Sequence, residues 1–211
     1  MTRPKTHWIR DPARIEAMSS PVRQAILDRI EALGPCSVGE LARSLDRPAD
    51  ALYYHVRRLL EVGLIVEVGS RSTARRDEAL YDFPHPHWHI AYDLEDPDNV
   101  AAVGKATAAI LRRASRDFDE GLQHPKAAVR GSRRNLWSLR LEARLGREDL
   151  RALNEHLQAI LDILRKPRPT RGRGTLVALS WVLAPLQGPV GRHHDDHDDH
   201  DDHDDHDDHD P

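Results

Sequence analysis

The residues of this chain best suited to chemistry are its histidines. Residues 193–211 read HHDDHDDHDDHDDHDDHDP, where His193, His194, His197, His200, His203, His206 and His209 recur among eleven aspartates. Imidazole suits Zn, Ni, Co and Cu, and the flanking carboxylates add oxygen ligands and negative charge. Two origins fit the repeat: a metal-responsive element, or a low-complexity expansion that binds metal as a by-product. A second group is His85-Pro86-His87-Trp88-His89. Alternate side chains of an extended segment point the same way, so His85, His87 and His89 are either a three-imidazole site or linker histidines spread in water. Cys36 is the only cysteine, so neither an internal disulfide nor a cysteine zinc cage can form, which fits a reducing compartment. The chain has no phosphate-binding glycine loop, nucleophile elbow or His-Glu-x-x-His helix. An enzyme is not expected, and no cofactor is expected to be required.

The histidine tail also sets the charge balance. The 211 residues hold 31 Lys and Arg against 35 Asp and Glu, a net charge of −4. Eleven of those acids, and none of the bases, lie in the tail, so residues 1–192 carry +7. A basic body joined to an acidic tail suggests a polyanionic partner, nucleic acid first and membrane surface second. The tail has no apolar residue with which to build a core and is expected to be disordered. The opening MTRPKTHWIRDPARIEAM lacks the apolar run of a signal peptide, and the longest apolar stretch, 176–186, is too short to span a bilayer. A cytoplasmic protein with no membrane association is expected.

The elements that would position a nucleic-acid site follow from periodicity and caps. Residues 12–33 read as helical, with Ser20-Pro21 a cap and first-turn proline and Val22, Ile26, Ile30 and Leu33 on one face. Ser37 and Glu40 have capping-box spacing ahead of a short helix that turns Leu41 and Leu45 inward. After Asp46-Arg47-Pro48, a helix over 48–62 buries Leu52, Val56, Leu59 and Leu60, and Gly63 ends it. Strands are expected at 64–68 and 80–83, joined by GSRSTARRDEA with Arg71, Arg75 and Arg76 at its tip. Three helices, a tight turn and a hairpin with a basic tip make a winged helix-turn-helix.

On the stretch SVGELARSLDRPADALYYHVRRLLEVGLIVEVGSRSTARRDEALYDF the chain resembles the ArsR-type winged-helix repressors. Leu41-Ala42 before the turn, His55 to Leu59 in the recognition helix and Gly63-Leu64-Ile65 entering the wing match that family's pattern. The likeness covers about residues 12–83, and the helix beyond the wing is similar to the family's dimer helix. It implies a homodimer on double-stranded DNA. Metal-sensing members place ligands in the helix before the turn, through paired cysteines that this chain lacks, or in the dimer helix.

The residues of the second helix make the same case directly. Its outward positions are Asp50, Tyr53, Tyr54, Arg57 and Arg58, a positive, aromatic face sized for the major groove. Arg47, Ala49, Asp50, Tyr53 and Tyr54 lie where base edges would be met, and Arg57 and Arg58 where phosphates would be. Asp50 either accepts from a cytosine amino group or stabilises the helix N-terminus. His55 either touches a base or borders the core. With Ser37, Arg71, Arg75 and Arg76 these are the candidate DNA contacts.

The expected fold class is α+β. An N-terminal arm (1–11) leads into the winged helix (12–83), a linker (84–95) and a dimerisation helix (96–124) with Val100, Val103, Thr107, Ile110, Ala114 and Phe118 on one face. A small strand–helix–strand unit (132–187) has strands at 139–145 and 176–183 around an amphipathic helix, and the tail (188–211) follows. The expected function is homodimeric, sequence-specific regulation of transcription, with repression by promoter occupancy. The effector would be a divalent metal or a small molecule. The alternative is a metal-buffering or metal-delivery protein whose winged helix serves assembly.

Overall fold

The structure is a computed structural model that describes residues 7–73, 77–165 and 175–187. Its order is β1 (His7–Ile9), α1 (Pro12–Ala17), α2 (Pro21–Leu33), α3 (Val38–Leu45), α4 (Asp50–Glu61), β2 (Val66–Ser72), β3 (Asp77–Asp82), β4 (Trp88–Ile90), α5 (Pro97–Leu122) and α6 (Arg147–Leu164). The chain divides into two units, 1–180 and 181–211, and only 181–187 of the second are described.

Local signals explain the helices. The expected helix over 12–33 is two: Ser20 caps α2, and Pro21, which can neither donate nor sit inside a helix, starts it afresh. Ser37 accepts from the Glu40 amide at 3.2 Å while the Glu40 carboxylate accepts from the Ser37 amide at 3.0 Å, so the capping box of α3 is closed. Asp46 ends α3 in the left-handed region (φ 49), and the Arg47 amide donates to Ala42 O at 3.0 Å, which tightens the inter-helix turn. After α4 the chain reverses at Gly63 (φ 67), a conformation that costs glycine least.

Ile15, Ile26, Ile30, Leu41, Leu52, Leu59 and Ile65 form the fully buried centre. β2 and β3 pair antiparallel from Val66↔Asp82 to Ser72↔Asp77, with a register shift between Glu67 and Gly69. Cys36 and Tyr81 exchange backbone hydrogen bonds at 3.1 and 3.0 Å, which joins the wing to the front of α3. The hairpin is longer than its sequence suggested, so Arg71 lies on β2.

Residues expected to be arm and linker also pair. β1 and β4 form a parallel two-stranded sheet, with His7↔Trp88 and Ile9↔Ile90 in register. Asn99, 1% exposed near the start of α5, holds this sheet in place. Its Nδ2 donates to Arg10 O (2.9 Å) and Ala91 O (3.2 Å), and its Oδ1 accepts from the Asp93 amide (2.9 Å). Asn99→Ala is expected to cost about 2–4 kcal/mol, since a buried group left unpaired costs ~1–3 kcal/mol. Urea unfolding at constant m-value measures this.

α5 packs on α1 and α2, and its small Ala102 and Ala106 side chains enter the core. The C-terminal unit differs from expectation. Its helix forms as α6, but residues 139–145 and 176–183 form no strand, and α6 buries no residue. Among the described residues no strand edge is hydrogen-bonded to either segment, and a strand is stable only when its backbone is paired.

Candidate nucleic-acid interface

α3, the turn and α4 present one continuous surface, with the β2–β3 wing beside it. α4 turns Leu52, Val56 and Leu59 into the core and leaves Asp50, Tyr53, Tyr54, Arg57 and Arg58 on the solvent side. Tyr54 is 69% exposed, and its ring meets His55 edge-on at 5.4 Å. Arg47 stands exposed in the turn, at the N-terminal end of α4 where base edges would be met. Ala49 takes the N-cap position with no side-chain hydrogen bond and packs partly on the core, so it offers DNA little. Asp50 supplies negative charge to the first turn of α4, as the helix dipole favours. Arg58 holds Glu61 at 3.1 Å, an exposed pair that a phosphate can replace at little cost.

Three expected contacts are placed differently. Ser37 is 2% exposed, and its hydroxyl caps α3 and donates to Glu78 Oε2 at 2.6 Å, so its hydrogen bonds are made inside the fold. His55 is half-buried beside the core, and its Nδ1 lies buried without a hydrogen-bond partner. Burial, then the charges of Arg23 and Arg47, hold its pKa below the usual histidine value, so the ring stays neutral at pH 7. His55 is thus placed at the edge of the core, beside the exposed Tyr54. Arg71 grips Glu40 Oε1 at 2.6 Å, which ties the wing to α3. Burial would raise the Glu40 carboxyl, but the Ser37 amide and Arg71 hold it below its ordinary value. Arg75 and Arg76 lie outside the described residues.

Two basic residues escaped the sequence reading. Arg43 is exposed on α3, as its place between the inward Ala42 and Leu45 could have shown. Arg23 reaches α4 from α2, close enough to interact electrostatically with Tyr54 and Arg58, while its Nε donates to Ala17 O at 2.5 Å. That approach depends on helix packing and has no local signal.

The metal candidates fare unevenly. His85 stacks on His7 (4.0 Å between centroids), and His89 packs against Trp8 and lies 3.3 Å from an Arg165 nitrogen. The His85 and His89 rings are therefore engaged by different residues of β1. Among the described residues no three His, Cys, Asp or Glu side chains are grouped to hold a metal ion. Burial pushes the Cys36 thiol up to about 12, so it stays protonated and behaves as a small apolar residue. His193, His194, His197, His200, His203, His206 and His209 lie outside the described residues.

Helix, turn, exposed second helix and hairpin define an α+β chain built on a winged helix-turn-helix. Residues 18–68 match the family model of the helix-turn-helix domain, the kind of module with which transcriptional regulators bind DNA. No curated protein matches the chain. Two solved structures of Lactococcus lactis ZitR are similar at 12% identity. The C30AH42A mutant in apo form gives a TM-score of 0.27 over 69% of this chain and 83% of that one. The second structure of that mutant gives 0.27 over 68% and 74%. Among the described residues no helix is long and apolar enough to cross a membrane.

Proposed function

We propose that the protein is a homodimeric, sequence-specific regulator of transcription that represses by occupying its operator. The observation that carries this reading is the division of α4: three apolar residues buried, and two tyrosines and two arginines exposed on the opposite side. With α4 in the major groove, Arg47, Tyr53 and Tyr54 face base edges, while Arg57, Arg58 and Arg43 face phosphates. Arg71 positions the wing and, with Arg75 and Arg76, supplies charge to the DNA backbone.

The second copy is held through α5. Ala102 and Ala106 are used in the core, with Val103 packed against it, which leaves Val100 (46% exposed), Ile110 (37%) and the half-buried Thr107, Ala114 and Phe118. That heptad-like stripe fits the same stripe of a second chain. Two half-sites about one helical turn, ~10 bp, or a multiple of it apart follow from the symmetry.

The tail supplies the regulation. Its eleven aspartates compete with phosphate for the basic surface, and bound Zn, Ni, Co or Cu cancels part of that charge and strengthens DNA binding. The test measures affinity for duplex DNA at fixed salt, for the full chain and for a chain ending at residue 192, each with Zn²⁺ and with chelator. Expected are tighter binding on removal of the tail and a gain with Zn²⁺ in the full chain alone. Four equal affinities would remove the tail from the mechanism, and no binding in any case would remove the regulator reading.

A further inference from the structure

The winged helix leaves residues 137–145, WSLRLEARL, without a role. Trp137, Leu139 and Leu141 are 61%, 72% and 79% exposed and occupy one face of the alternation, together with Ala143 and Leu145. Arg140 and Glu142 share the other face, where they pair at 2.5 Å. Exposed apolar residues on one edge of an unpaired extended segment mark a site of association.

The charge pattern selects the partner, because it is complementary to itself in an antiparallel pairing. With Leu141 opposite Leu141 of a second chain, Arg140 meets Glu142 twice, Leu139 meets Ala143 and Trp137 meets Leu145. Cross-strand pairs of opposite charge and of apolar residues stabilise a ribbon, and like charges oppose it. Centring on Glu142 would set that carboxylate against its own copy and Arg140 against Arg144. Centring on Ala143 also sets Glu142 against Arg144 and Leu141 against Leu145, but it sets Leu139 against Arg147, the first residue of α6, and leaves Trp137 without a partner in the segment, so the longest self-complementary ribbon is centred on Leu141. The segment also begins beside the proposed dimer helix: a Cβ on Gly121 of α5 would lie 3.0 Å from the Leu136 side chain. A pair of α5 helices that brings the two Gly121 ends together also brings two copies of this segment near each other.

We propose that residues 137–145 pair with the same segment of a second copy, antiparallel and centred on Leu141, and that α6 of each copy covers the apolar face of the ribbon. This accounts for an amphipathic α6 whose Leu153, Leu157, Ile160, Leu161 and Leu164 are only partly buried within one chain, since a two-stranded ribbon needs a helix on its face to be stable. The proposal rests on the homodimer reading for its second copy, and adds an interface which that reading does not contain.

Cysteine cross-linking of the full chain tests it. Buried Cys36 does not interfere, and Leu141 is exposed enough to be replaced without loss of fold. Residues facing each other across an antiparallel pair have Cα atoms ~4.5–5.5 Å apart, within disulfide range. Under mild oxidation Leu141→Cys is expected to form a covalent dimer about tenfold faster than Ser138→Cys or Ala143→Cys, since contact raises the effective concentration of the thiols. A mixture of Leu139→Cys and Ala143→Cys chains should cross-link to each other faster than either does alone. Equal rates, or a faster Ala143→Cys, overturn the proposal. Sedimentation equilibrium of the unmodified chain separates the two readings: a monomer overturns both, and a dimer with no preference at residue 141 overturns this one alone.

Discussion

A chain carrying Arg47→Ala and Arg57→Ala is expected to bind duplex DNA about 100-fold more weakly at fixed salt. Each arginine lies exposed on the α3–turn–α4 surface, one at the entry to α4 and one on its solvent face. A charge-assisted contact contributes ~1.5–3 kcal/mol, and ~1.4 kcal/mol is a factor of ten, so two lost contacts make that change. Each phosphate contact contributes ~0.9 to the slope of log affinity against log salt, so the slope should also fall by whatever share of the two is phosphate contact. Neither side chain enters the core, and the unfolding transition should stay within ~0.5 kcal/mol of the parent. Arg58→Ala is expected to do less, because its guanidinium is shared with Glu61. Fluorescence anisotropy with labelled duplex over a salt series reads both quantities. An unchanged affinity would mean that DNA meets another surface.

Leu59→Ala is expected to cost about 2–5 kcal/mol of stability through the cavity it leaves. Leu59 is fully buried in the cluster with Ile26, Ile30, Leu41 and Ile65, and its carbonyl accepts from the Leu64 amide (3.0 Å) at the chain reversal into β2. A domain has ~5–15 kcal/mol in all, so this one change removes a large part of it. Tyr54→Ala, five residues earlier on the solvent face, should move stability by ~0.5 kcal/mol or less while weakening DNA binding. Urea unfolding of both variants, with DNA titrations below the transition, separates the two sides of α4. Equal losses of stability would contradict the division between them.

Those two sides were legible in the sequence because their signals are local. Ser20-Pro21, the Ser37–Glu40 box and Gly63 each act within one turn of chain, and the spacing of Leu52, Val56 and Leu59 needs only helical geometry. The β1–β4 sheet was not legible: three residues pair with three others about 80 positions away, too few for a periodic signal. Asn99 reads as an ordinary polar residue of a helix start, and only the fold shows the three backbone groups it joins. The cap read for Ser37 is present, and its hydroxyl also donates to Glu78 across the fold, a partner with no local signal. The alternation in 139–145 tells which face a strand would have, but not whether an edge exists to pair with it.

In the proposed function α4 reads DNA sequence while the wing supplies charge to the backbone. Selection of bound duplexes from a random pool by the full chain, with chelator present, tests it most directly. The expected result is enrichment of one motif in two symmetry-related halves, centred about one helical turn, ~10 bp, apart or a multiple of it, and loss of that enrichment in the Arg47→Ala, Arg57→Ala chain. Recovery of duplexes with no common motif, or of the same motif by both chains, would contradict the account.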